Sequence, residues 1–227
     1  HDIDIEKIKS IKSGASYISS INKKKVQVAI NKNFNVSVDY TNISLADIIV
    51  ICVPTPLNRS KEPNLKYIQD TLKSIKPFLK ENQTLILEST TYPGTTKEIL
   101  LPFANSIVDS KNRKKILVGT NFFIGYSPER EDPGNLNFET KDIPRVISGI
   151  TKSCVEIMKS IYSQIVIDTI TVSSTDTAEM TKMLENTYRA VNIGLINEFK
   201  MISEKMNIDI FEVIEAAKTK PFGFTPY

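Results

Sequence analysis

An ammonium and a carboxamide one helical turn apart form the most pointed chemical pair in this 227-residue chain. Lys182 and Asn186 stand at i and i+4 of a helix-like run, so both project from one face. Two donors aimed at one point suit the stabilisation of a developing oxyanion. The plainer reading is a solvated stripe, since Glu179, Glu185 and Arg189 lie nearby in sequence. Ser127-Pro-Glu129-Arg130 offers a carboxylate just after a proline. Partly buried at a sheet edge, Glu129 would have a raised pKa and could act as a general base. Left at the surface, it would pair with Arg130. Thr90, within Glu88-Ser-Thr-Thr91, brings one donor and two acceptor sites, enough to pin a water or a sugar hydroxyl. Threonine is also a common strand former, so its type alone says little.

These side chains need strands that run into loops. Strand-like patterns cover residues 2–4 (a strand end), 34–40, 47–53, 84–88, 122–126, 145–148 and 164–170. Helix-like patterns cover residues 5–13, 23–32, 64–79, 152–162, about 174–206, and 210–218. Thr95-Thr-Lys-Glu98 fits a capping box that would start one more helix. The alternation predicts an α/β fold, a parallel sheet covered on both faces, followed by an all-helical domain with one long helix. The division falls near residues 171–175, giving domains 1–173 and 174–227. Ligand sites in such sheets form outside the carboxyl ends of the strands, where Thr90 and Glu129 lie. Val53-Pro-Thr-Pro56 ends another apolar strand, with Pro54 and Pro56 stopping the ladder and leaving the Thr55 hydroxyl at the edge.

A dinucleotide fold opens with a glycine-rich turn, and no Gly-x-Gly-x-x-Gly occurs anywhere in the chain. Asp2 does stand at a strand-like end, where an acidic residue can accept both ribose hydroxyls of NAD and repel a 2′-phosphate. It can equally be an aspartate that simply ends a strand.

Composition removes several classes of function. Net charge is +3, with basic residues scattered rather than striped; Lys23 to Lys25 and the cluster at 111–115 read as solvated surface. A nucleic-acid partner is therefore not expected. His1 is the sole histidine, which argues against imidazole catalysis and a metal site. Cys52 and Cys154 are far apart and read as buried free thiols in a reducing compartment. No apolar run approaches the roughly 20 residues needed to span a membrane, so a cytoplasmic protein is expected.

Three ordered phrases now combine: Glu88-Ser-Thr-Thr-Tyr-Pro-Gly-Thr-Thr96, Ser127-Pro-Glu-Arg130, and Ala178-Glu-Met-Thr-Lys-Met-Leu-Glu-Asn-Thr-Tyr188. With Pro54-Thr-Pro56 they resemble the UDP-glucose/GDP-mannose dehydrogenase family over essentially the whole chain, most like its UDP-N-acetylhexosamine branch. The resemblance implies a Rossmann-like sheet whose first β-α unit would precede residue 1. It also implies NAD as cofactor, with Asp2, Lys7, Pro54, Thr55 and Thr90 at the cofactor cleft. Thr90 would hold a catalytic water and Glu129 would assist thioester hydrolysis. Lys182 and Asn186 would be the catalytic lysine and asparagine. Glu129, Arg130, Glu131, Asp132, Lys182 and Asn186 would contact the UDP-sugar. Pro133 stands where other branches place a second glutamate, so that contact does not carry over.

The implied reaction oxidises a sugar C6 alcohol to a carboxylate with two NAD⁺, through an aldehyde trapped by a cysteine and then a thioester. That cysteine would follow residues 220–227, and neither Cys52 nor Cys154 matches it. UDP-N-acetylglucosamine is the first expectation for substrate, with its mannosamine epimer second, and the product would feed surface-polysaccharide synthesis. A homodimer through the long helix, residues 174–206, is expected as well. The rival reading is a truncated fragment that folds and dimerises but catalyses nothing. A hydroxyacid dehydrogenase of the same layout would need a catalytic histidine or a second lysine on the long helix, and the interior has no histidine.

Overall fold

The computed structural model describes residues 1–18, 21–109, 114–130 and 139–226. These fall into two compact units, His1–Glu179 and Met180–Tyr227.

The first unit is organised by β2 (Gln83–Leu87), in which every residue is buried. That suits its place between β1 (Ile48–Ile51) and β3 (Phe122–Tyr126), both parallel to it, with Ile49 opposite Leu85 and Leu85 opposite Ile124. Ile49, Ile51, Leu85, Leu87, Phe122 and Ile124 share one core with Ile68, Leu72 and Ile75 of α3 (Lys66–Ile75). Those three helix residues recur at i, i+4 and i+7, the spacing of a single buried face. On the opposite face Ile86 packs with Ile147 of β4 (Arg145–Gly149) and with Met158 and Tyr162 of α5 (Lys152–Tyr162). Gly149 admits α5 this closely, since a Cβ there would lie 2.6 Å from the Val155 nitrogen.

Four expectations need correction. The sheet runs β1-β2-β3-β4-β5, with β5 at Thr169–Thr171, but β4 is antiparallel to β3. Among its described residues the 127–144 connection holds only the 3₁₀ turn Thr140–Asp142, with no helix to carry the chain back across the sheet. Cover on the second face does not extend to β1, whose Ile48 and Val50 are 42% and 43% exposed.

Residues 2–4 and 34–40 are not strands of this sheet. Asp2 N–H donates to Ser37 O at 3.2 Å. Local side-chain bonds bend both segments: Asp2 Oδ1 accepts Asp4 N–H, and Ser37 Oγ accepts Asp39 N–H. Asp4 then caps α1 (Ile5–Lys12), and Asp39 caps the 3₁₀ turn Tyr40–Leu45. β5 is shorter than expected because the Ile165 and Val166 amides still bond Tyr162 O at the end of α5.

α2 spans Lys23–Asn31. α4 (Leu101–Asn105) continues a π-helical turn at Thr96–Leu100. α6 (Thr175–Lys205) opens in the first unit and runs on into the second, which also holds α7 (Ile210–Lys218), capped by Asp209. Leu184, Val191, Leu195 and Ile202 repeat at helical spacing along α6 and are all exposed.

Candidate active site

Three strand exits converge at the carboxyl edge of the sheet. After β1 the chain continues as Cys52-Val-Pro-Thr-Pro56, after β2 as Glu88-Ser-Thr-Thr91, and after β3 as Ser127-Pro-Glu-Arg130. Hydrogen bonds tie them together. Ser89 Oγ donates to Val53 O at 2.7 Å, Thr55 Oγ1 to Thr90 O at 2.5 Å, and Ser127 N–H to Leu87 O at 3.1 Å. Thr90 itself is exposed while Ser89 and Thr91 are buried, as alternation at a strand end requires.

Arg145, at the start of β4, organises the charge here. Its guanidinium meets Glu88 Oε1 at 2.6 Å and Glu129 Oε2 at 3.0 Å, and its Nε donates to Ser127 Oγ at 2.9 Å. Tyr162 adds its hydroxyl to Glu88, and its ring lies under the guanidinium, 5.3 Å away. Burial alone would depress the Arg145 pKa, but Glu88 and then Glu129 outweigh it and hold the group charged. Glu129 is half-buried, its side chain 45% exposed; its ion-pair partner is Arg145, and it accepts the Arg130 N–H at 2.7 Å. The Arg130 guanidinium donates to Pro144 O at 2.8 Å.

Cys52 is exposed rather than buried, whereas Cys154 is buried as expected. The Cys52 pKa is pushed up to about 11, first by desolvation of the sulfur and then by Glu88 and Glu129. At neutral pH it is a thiol and a poor nucleophile.

The loop after Thr90 is fixed from far away in sequence. The Glu179 carboxylate, fully buried, accepts Gly94 N–H at 2.7 Å, Thr96 N–H at 2.9 Å and the Thr96 hydroxyl at 2.7 Å. The expected capping box is absent: Thr95 donates its hydroxyl to Tyr92 O and caps no amide. A buried carboxylate at a helix start satisfies the orphan donors and the positive end of the helix dipole together. Glu179, expected on a solvated stripe, is therefore an internal anchor. Further along α6, Lys182 and Asn186 are half-buried on one face, and Asn186 Oδ1 accepts the Arg189 guanidinium at 3.1 Å. Glu131 and Asp132 lie outside the described residues.

Near the N-terminus, Asp2 Oδ1 accepts the Asp4 N–H at 2.9 Å, and Oδ2 lies 3.8 Å from Lys7 Nζ. No group of three or more metal-ligating side chains occurs among the described residues, and none of the described helices is long and apolar enough to cross a membrane.

The sequence profile of the UDP-glucose/GDP-mannose dehydrogenase family matches the chain twice, its NAD binding domain over residues 1–166 and its central domain over residues 176–227. The chain belongs to the UDP-glucose/GDP-mannose dehydrogenase family. It is 38% identical over 199 residues to UDP-N-acetyl-D-mannosamine dehydrogenase of Methanocaldococcus jannaschii, covering 86% of the chain and 43% of that protein. With UDP-N-acetyl-D-glucosamine 6-dehydrogenase of Pseudomonas aeruginosa it shares 32% identity over 227 residues, 100% of the chain and 52% of that protein. The solved UDP-D-ManNAc dehydrogenase of Pyrococcus horikoshii matches with a TM-score of 0.84 at 29% identity, over 100% of the chain and 52% of that structure. The chain spans about half the length of the curated relatives it matches.

As a member of the UDP-glucose/GDP-mannose dehydrogenase family, its first unit carries the NAD-binding domain. The residues at hand fit that cofactor. Asp2 presents a partly exposed carboxylate, 34% open at its side chain, suited to ribose hydroxyls. Thr55 spends its proton on Thr90 O, which leaves its oxygen free to accept and fixes the two loops at the cleft. In this family member the groups missed from sequence are Glu88, Arg145, Tyr162 and Glu179. A lone arginine opening an apolar strand, Arg145-Val-Ile, was the one available signal, because a charge buried there must find partners.

Proposed function

We propose that this chain supplies the cofactor-binding and central parts of an NAD-dependent 6-dehydrogenase acting on a UDP-N-acetylhexosamine. The observation that carries the reading is the convergence of Thr90 and Glu129 at neighbouring strand exits, with Glu129 held by Arg145. NAD, when bound, supplies the hydride acceptor. Asp2, with Lys7 beside it, holds the adenosine ribose, while Pro54, Thr55 and Thr90 line the cleft. Thr90 orients the water that hydrolyses the acyl intermediate, and Glu129 takes its proton. Lys182 and Asn186 stabilise the oxyanions that form on the substrate carbon's oxygen. Glu129 and Arg130, with Glu131 and Asp132 next in sequence, would contact the sugar.

Relatives named for the mannosamine and the glucosamine epimers both align over most of the chain, which supports the hexosamine class and favours neither epimer. The exposed apolar stripe on α6 supports a homodimer. The reaction would take place in the cytoplasm, with its product consumed in surface-polysaccharide synthesis.

The test is NADH formation by the complete gene product with UDP-N-acetylmannosamine, UDP-N-acetylglucosamine and UDP-glucose. NADH formed twice per molecule of either hexosamine supports the reading and names the epimer. Turnover of UDP-glucose alone would sink the hexosamine assignment, and no turnover with any of them would sink the activity.

A further inference from the structure

One guanidinium serves two unequal carboxylates. Arg145 lies 2.6 Å from Glu88, whose side chain is 15% exposed, and 3.0 Å from Glu129, whose side chain is 45% exposed. Everything else that holds Arg145 is independent of Glu129: Ser127 on its Nε, the Tyr162 ring beneath it, and Glu88 itself, which Tyr162 orients through its hydroxyl. Ser127 is fixed in turn by donating to Val146 O at 2.8 Å. Arg145 therefore reaches Glu129 as a rigid arm whose charge is already shared.

We propose that Arg145 positions Glu129, and that Glu88 sets the basicity of Glu129 by taking a share of the same positive charge. This rests on the reading of Glu129 as the base. A base paired to an undivided cation is a weak one, because protonating it breaks a strong attraction. With Glu88 ionised, the Glu88–Arg145 pair is close to neutral as seen from Glu129, so the geometry is kept while much of the attraction cancels. Of the other titratable groups nearby among the described residues, two are uncharged and one, Arg130, is a cation turned toward a carbonyl. Cys52, beyond β1, is pushed up to about 11, and Tyr162 on α5 is also displaced upward, so both are neutral at pH 7. Arg130 gives Glu129 its backbone N–H while its guanidinium engages Pro144 O.

Glu88→Gln is the discriminating variant, since the amide oxygen can still accept from Arg145 and Tyr162 while the charge is gone. The direct readout is the pH titration of the Glu129 carboxyl carbon by NMR, its signal assigned by its loss in Glu129→Gln. The Glu129 midpoint is expected to fall by roughly one pH unit or more in Glu88→Gln, and to rise in Arg145→Gln. The acid limb of kcat in the complete gene product should move with it. An unchanged midpoint in a folded Glu88→Gln protein overturns the proposal. A midpoint that moves while the acid limb stays supports the charge sharing and overturns instead the assignment of Glu129 as base. If Arg145→Gln does not fold, Glu88→Gln alone decides.

Discussion

Glu179 caps a helix that lies 83 residues earlier in the chain, taking both the amide and the hydroxyl of Thr96 on one carboxylate oxygen. Its other oxygen takes the Gly94 amide. The start of α6 is thus tied to the loop that follows Thr90. The first prediction tests that tie. Glu179→Gln keeps the shape but turns an NH₂ toward one of the two amides, leaving a buried donor unmatched. A loss of about 1–3 kcal/mol in unfolding free energy is expected, with faster amide exchange at Gly94 and Thr96. Unchanged exchange at those two amides would show that the carboxylate is not their anchor.

The same group gives a pH dependence with a definite sign. Burial raises the Glu179 pKa above its ordinary 4.5, the bonds from Thr96 and Gly94 oppose the rise, and Asp176 adds to it. A carboxyl raised in the folded state contributes stability that is complete below 4.5 and is lost as pH climbs through the folded value. The stability difference between the parent protein and Glu179→Gln should therefore narrow as pH rises from about 4.5. A difference that stays constant or widens over that window contradicts the raised pKa.

Local pattern was enough wherever local forces decide. β3, α5 and α7 begin and end where periodicity places them, at Phe122–Tyr126, Lys152–Tyr162 and Ile210–Lys218. Thr90 and Glu129 were legible as strand exits for the same reason. What sequence misplaced depends on distant or competing partners. Thr95 had the right spacing for a capping box, yet Glu179 took the amides. Residues 34–40 alternate like a strand, yet Ser37 and Asp39 turn the backbone. The direction of β4 and the partners of Arg145 follow from the return path after β3, which alternation along a strand does not encode.

Two glycines should respond in opposite ways to alanine. At Gly149 a Cβ would meet α5 backbone, at 2.6 Å from the Val155 nitrogen and 2.8 Å from the Cys154 carbonyl carbon, so helix or strand must shift. Gly149→Ala should cost about 1–3 kcal/mol. Gly194, within α6, has nothing within 4 Å of a new Cβ. Gly194→Ala should stabilise by roughly 0.5–1 kcal/mol through helix propensity. Urea unfolding of both variants checks the pair, and a Gly149→Ala protein as stable as the parent would refute the close packing of α5 on β4.

Lys182→Ala addresses the chemistry. If the ammonium stabilises charge only as it develops, turnover by the complete gene product should drop by a barrier of about 2–3 kcal/mol. NAD binding, measured by calorimetry, should be nearly untouched. Equal losses in both would mean that Lys182 maintains structure instead.

Val191, 63% exposed on α6, lies in line with Leu184, Leu195 and Ile202 at spacings of seven, four and seven residues. Such a stripe is costly to leave in water, and under the proposed homodimer a second copy of the same helix would be a self-complementary cover for it. Val191→Glu would place a charge in the middle of that contact, where burial without a partner costs several kcal/mol. It should leave the fold of one chain intact, because the side chain is mostly in solvent there. Sedimentation velocity is expected to show a dimer for the parent protein and a monomer for the variant, with similar circular dichroism. A parent protein that sediments as a monomer, or a variant that remains dimeric, would remove the α6 stripe as the self-association surface.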